Sequence, residues 1–225
     1  MDAKEIKRIF YRDGYRLALE HLDQGVHAVN LTKAIKQLYQ AVDDLLESFI
    51  QRSRTEGVPP ECKKGCSWCC HQEVFAVTHE FFYLQDHLRM NLSEEVRERI
   101  LERAGEKVML TKDLSLEEQL KVRSACPLLD AGSCLAYEAR PMACRIYLST
   151  SERSCKRDHD RPGNQKNIPE LLEFPLIAGR MLNEGFVACL KQYELMSFEL
   201  PIEQGYVSLA THGQTMEEWI KNKSS

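Results

Sequence analysis

The chain lacks most of the features that would assign it to a familiar functional class. It has no basic excess, since 30 Lys+Arg stand against 34 Asp+Glu for a formal net charge of −4. A generic nucleic-acid binder needs the opposite balance to neutralise phosphates, so that reading finds no support. It has no long apolar run. The longest, Phe186-Val187-Ala188-Cys189-Leu190, is far short of the roughly 18 residues that cross a bilayer. The opening Met1-Asp2-Ala3-Lys4-Glu5-Ile6-Lys7-Arg8 mixes charge signs and leads into no apolar stretch, unlike a secretory leader, so a reducing cytoplasm is the expected compartment. There is no Gly-x-Gly-x-x-Gly and no Gly-x4-Gly-Lys, which removes dinucleotide and P-loop readings. No nucleophilic triad is recognisable, and no residue declares itself catalytic. Outside one stretch the chain is also poor in cysteine, with Cys189 alone.

Size removes another explanation. A length of 225 residues suggests one domain, or one domain with an appended helical segment, that buries roughly 70% of its extended surface, so neither disulfides nor a metal is needed merely to reach folding size.

Hydrophobic spacing predicts a mainly α protein: a single helical domain with irregular, cysteine-rich loops forming a metal site. Residues 3–24 read as a broken amphipathic helix, with Ile6, Ile9 and Phe10 before Asp13-Gly14 and Tyr15, Leu19 and Leu22 after it. Leu31, Ile35, Leu38, Val42, Leu45 and Phe49 follow an a/d spacing behind Asn30 as N-cap. That helix is expected in the core, with a dimer seam through residues 31–49 as the alternative. Two prolines in Gly57-Val58-Pro59-Pro60 end it. The division expected is an N-terminal helical arm over 1–58, a metal-binding segment over 59–160, and a C-terminal helical segment over 161–225.

Beyond the arm, Val74–Val77 reads as a short strand, and Thr78 as the N-cap of a helix stapled by Val77 and Phe82. Ser93 opens a helix that turns Val96, Ile100 and Ala104 inward. Ser115 with Glu118, and Thr215 with Glu218, form capping boxes. Pro169 is expected to begin a helix through Leu171 and Leu172 that Pro175 interrupts, with a further helix over 177–196. The best remaining strand signal is Tyr206-Val207-Ser208-Leu209.

What the sequence does have is eight cysteines between positions 62 and 155. In a reducing compartment, clustered thiols are metal ligands or redox groups before they are structural disulfides. The first group is Cys62-x3-Cys66-x2-Cys69-Cys70, whose short gaps let thiolates converge on one ion, with Gly65 permitting a tight turn. Consecutive side chains diverge, so Cys69 and Cys70 are not expected to serve one ion in the same way. The second group is Cys126-x7-Cys134-x9-Cys144-x10-Cys155. Asp130-Ala131-Gly132-Ser133 is a turn that delivers Cys134, and Arg140-Pro141 begins a short helix bearing Cys144 and Arg145. Arg140 and Arg145 are candidates to bind beside the centre and offset its negative charge. The Lys156-Arg157 pair does the same for Cys155. Cys189, between Ala188 and Leu190, reads as a packing residue. His71 and His159 are spaced to complete a mixed Cys/His site, or to be ordinary histidines.

The run Cys62-x3-Cys66-x2-Cys69-Cys70, then Cys126-Pro127-Leu128-Leu129, Gly132-Ser133-Cys134-Leu135-Ala136-Tyr137 and Arg140-Pro141-x2-Cys144-Arg145, resembles the YkgJ-type cysteine-cluster family. The resemblance covers about residues 60–150. It implies a zinc- or iron-chelating domain in which Cys62, Cys66, Cys69, Cys70, Cys126, Cys134 and Cys144 occupy the family's cysteine positions, and Arg140, Pro141 and Arg145 its Arg-Pro-x2-Cys-Arg segment. The family's first gap is two residues, whereas here it is three. A flagellin lysine N-methylase carries a similar cluster. Adding Cys155 gives eight donors, enough for two four-thiolate centres or one polynuclear site. Soft thiolates suit zinc and iron–sulfur clusters alike. Three functions follow: a zinc- or iron-binding protein, an iron–sulfur enzyme modifying a protein side chain, or a thiol–disulfide protein using Cys69-Cys70.

Overall fold

A computed structural model describes residues 2–63 and 65–222, and among them ten α-helices carry the fold. Helix α1 (Ala3–Leu22) starts at Asp2, whose carboxylate accepts from the Glu5 amide. It runs unbroken through Gly14, where the sequence predicts an interruption. The glycine is there for a different reason: a Cβ on it would lie 1.9 Å from the Leu182 carbonyl oxygen of helix α8 (Glu173–Gln192). Gly185 of α8 makes the reciprocal approach: a Cβ on it would lie 1.8 Å from the Tyr11 carbonyl oxygen. The two helices cross in backbone contact, which only glycine permits.

Helix α2 (Ala28–Thr55) places Leu31, Ile35, Leu38 and Val42 fully inside the protein, so the a/d seam faces the chain's own core. Its cap is His27, whose ring accepts from the Asn30 amide; Asn30, the expected cap, is one turn in and donates its side-chain amide to the Gly25 carbonyl. Phe10, Phe49 and Phe174 bring α1, α2 and α8 together at one end.

Between α2 and α8 lie the short elements that hold the cysteines. A 3-10 turn (Trp68–His71) leads to strand β1 (Phe75–Val77), helix α3 (Thr78–Asn91) and helix α4 (Glu94–Thr111). Val77, not Thr78, stands at the N-cap of α3, and the Glu80 carboxylate accepts from its amide at 3.1 Å. Thr78 is the first helical residue and exchanges hydrogen bonds with Phe198 instead. Ser93 caps α4, with Ile100 and Ala104 buried. Both capping boxes form, on helix α5 (Leu116–Gln119) and helix α10 (Met216–Lys221). A two-residue hairpin, β2 (Leu129–Asp130) and β3 (Ser133–Cys134), turns through Ala131 and Gly132, both at positive φ. Helices α6 (Met142–Ile146) and α7 (Glu152–Asp160) follow.

Two elements differ in kind from expectation. Leu171 and Leu172 are extended: Leu171 bridges Ser149, and α8 begins only at Glu173, with Pro175 in its first turn, where the missing amide costs nothing. The stretch Tyr206–Leu209 lies inside helix α9 (Ile202–His212). The strand partner of β1 is β4 (Glu199–Pro201), antiparallel with Ala76 opposite Leu200.

Candidate metal centre

All nine cysteines are free thiols, and the eight clustered ones gather in one region. The backbone that gathers them is irregular but tied down. Gly65 turns at φ +89°, and Cys66 and Cys70 each close a tight turn by donating their amides to Lys63 and Ser67 carbonyls at 3.0 and 2.9 Å. The Cys126 amide donates to the Cys70 carbonyl at 2.7 Å, joining the second cysteine group to the first. At the other edge the Glu61 amide donates to the Ser149 carbonyl at 2.9 Å, and the Ser149 amide donates to Cys62 Sγ at 3.2 Å. Helix α7 is held against the 3-10 turn by Trp68 Nε1 on Glu152 and by Lys63 on the same carboxylate.

One sulfur, Cys62, receives an amide hydrogen bond, from Ser149. The amides of Trp68, Leu128 and Ala136 lie close enough to Cys66, Cys126 and Cys134, two residues upstream in each case, to lower their pKa values. Such amides favour the charged sulfur. Burial opposes them. It pushes Cys126 up to about 12, raises Cys134, and raises Cys144 far above an ordinary thiol. Cys69 donates to Cys70, which raises Cys69 strongly and lowers Cys70 to about 7. Soft donors packed together, oriented by amides and short of counter-charge, are the surroundings in which a soft cation rather than a proton satisfies sulfur.

The mutual influence of the thiols divides them. Cys62 feels Cys155, and Cys66 feels both Cys62 and Cys155. Cys70, Cys126 and Cys134 all act on Cys144. Cys69 feels both sets, through Cys62 on one side and Cys70 and Cys144 on the other. Among the described residues, no three His, Cys, Asp or Glu side chains already stand at the geometry of a bound ion.

Residues 61–167, just under half of the chain, match a family model, CxxCxxCC, described as a "Putative zinc- or iron-chelating domain". This segment is therefore similar to the CxxCxxCC family. The match takes in all eight clustered cysteines and leaves Cys189 outside, where it is fully buried in α8. No curated protein and no solved structure matches the chain.

The other expected residues of the matched segment fall as follows. Arg140 lies near enough to favour the Cys134 thiolate, and its guanidinium also stacks on Tyr137 at 3.9 Å. Arg145 is directed elsewhere: it pairs with Asp43, donates to the Glu138 and Arg140 carbonyls, and covers the Tyr39 ring at 4.0 Å. His71 and His159 pack edge to face at 5.2 Å, with His71 Nδ1 on the Ser67 carbonyl and Trp68 against His159. Sequence reasoning missed the amides that favour charge on Cys66, Cys126 and Cys134. The available signal was a non-proline residue two positions after Cys66, Cys126 and Cys134.

Proposed function

We propose that the protein holds zinc or iron in two thiolate centres, Cys62, Cys66, Cys69 and Cys155 in one and Cys70, Cys126, Cys134 and Cys144 in the other. The observation that carries this reading is the division of the thiols into two sets that meet at Cys69-Cys70. Cys69 and Cys70 are hydrogen-bonded neighbours and Cys69 also feels Cys62, so the dipeptide lies where the two sets meet and one thiol is assigned to each. Soft donors in two sets of four match the composition of a closed structural zinc site or a cubane cluster. Arg140 offsets charge at the second centre. Arg145 supports it indirectly, by fixing the segment that carries Cys144 to α2.

Metal analysis of protein purified without oxygen tests the proposal. Two equivalents of zinc, or iron with sulfide and a brown colour, are expected per chain. Cys144→Ser should remove about half of the metal, and Cys189→Ser none of it. Metal-free protein would overturn the reading. Loss of all metal in Cys144→Ser would replace two centres by one polynuclear site, the arrangement that Cys69's contact with both sets favours.

A further inference from the structure

Apart from the thiols, one buried charged cluster is unexplained by metal binding. Glu73 precedes β1, Lys107 lies on α4 and Glu203 in the first turn of α9; their side chains are 1%, 3% and 0% exposed. Lys107 Nζ stands 3.4 Å from Glu73 and 3.2 Å from Glu203. Neither carboxylate nor the ammonium has a well-formed hydrogen bond. Fully ionised, the three groups carry one surplus negative charge in the interior. An uncompensated charge there is very costly, and two carboxylates at one site do not both ionise readily. One proton removes the surplus.

We propose that Glu73 and Glu203 share a single proton in the folded protein at neutral pH, making with Lys107 a closed proton site that pins α9 to α4 and β1. Burial and the neighbouring Glu203 push Glu73 up to about 8, against the pull of Lys107, in keeping with that charge count. The other titratable group that feels Lys107 is Cys126. The cations near the next turn of α9, Arg89 on α3 and Arg97 on α4, act on Tyr206. The site makes the seating of α9 depend on pH: without the proton, α9 begins with an unmatched charge in a dry interior.

Comparison of the intact protein with Glu203→Gln tests this. The amide leaves Lys107 and Glu73 as a neutral pair with no proton to lose. Between about pH 5 and 8 the wild-type folding equilibrium constant should fall about tenfold per pH unit relative to the variant, because the folded state keeps a proton that the unfolded chain has released. Any pH dependence of the thiols is common to both and cancels. Infrared spectra of the wild type at pH 7 should show a protonated-carboxyl band that is absent from Glu203→Gln. Equal pH slopes, or identical carboxyl bands, would overturn the proposal. Should the variant fail to fold, the wild-type band decides alone: it must bleach as pH rises through about 8, and a band that does not titrate there refutes the shared proton.

Discussion

His79 shows at single-residue scale what the helical core does to a titratable group. It is fully buried, its ring lies 4.9 Å from that of Phe186, and burial holds its pKa down at about 3. The neutral ring is therefore the folded form. The unfolded chain takes up a proton below about pH 6.5, so stability present above that pH is lost as pH falls towards 3, by up to about 5 kcal/mol. A His79→Leu variant should flatten the acid side of the stability profile in urea titrations. Glu80 is likewise pushed towards its neutral form, its pKa raised by burial against three hydrogen bonds that it accepts, from the Met142 amide, the Val77 amide and Tyr39 Oη. Through it, α2 and α3 hold the start of α6 and hence Cys144. At this scale the cysteine cluster was legible, because residue type and spacing carry it. Glu80, Asp43 and the Glu73–Lys107–Glu203 cluster were not, because each joins residues remote in sequence whose types are ordinary on a surface.

The elements follow local rules where local chemistry decides. Ser93, Ser115 and Thr215 cap the helices expected of them, since a hydroxyl and a following amide are all a cap needs. Tertiary contact decided the exceptions. Tyr206–Leu209 has strand-forming residues, yet lies in α9 with Gly205 so close to α3 that a Cβ there would sit 2.2 Å from Phe81. Gly14 reads as a breaker in one dimension and proves to be a contact point in three. Gly14→Ala and Gly185→Ala should each cost about 1–3 kcal/mol, read as a lowered thermal midpoint, because the alanine meets backbone that cannot rotate away. Gly105 in α4 is the control, with nothing within 4 Å of its would-be Cβ. Gly105→Ala should raise stability by up to about 1 kcal/mol through helix propensity.

Across the whole molecule, long helices and cysteine loops have different sources of order. Helices α1, α2 and α8 bury a continuous apolar core, whereas the segments around Cys62–Cys70 and Cys126–Cys155 contain two-residue strands and single turns. Chelation should therefore raise amide hydrogen exchange in residues 61–72 and 124–160 while leaving α1, α2 and α8 protected, with little change in helical circular dichroism. Uniform loss of protection would instead make the metal a condition of the entire fold. The hydrogen bond from the Cys126 amide to the Cys70 carbonyl has a consequence for synthesis. A ribosome working at about 5–20 residues per second makes the first four thiols roughly 3–10 s before Cys126 exists to join them. Cys69 and Cys70 then wait side by side, exposed to oxidants and stray ions, for partners in a part of the chain not yet made. Loading of the proposed centres is in that sense a matter of timing, since a site drawing on both cysteine groups is complete only once the later half is made.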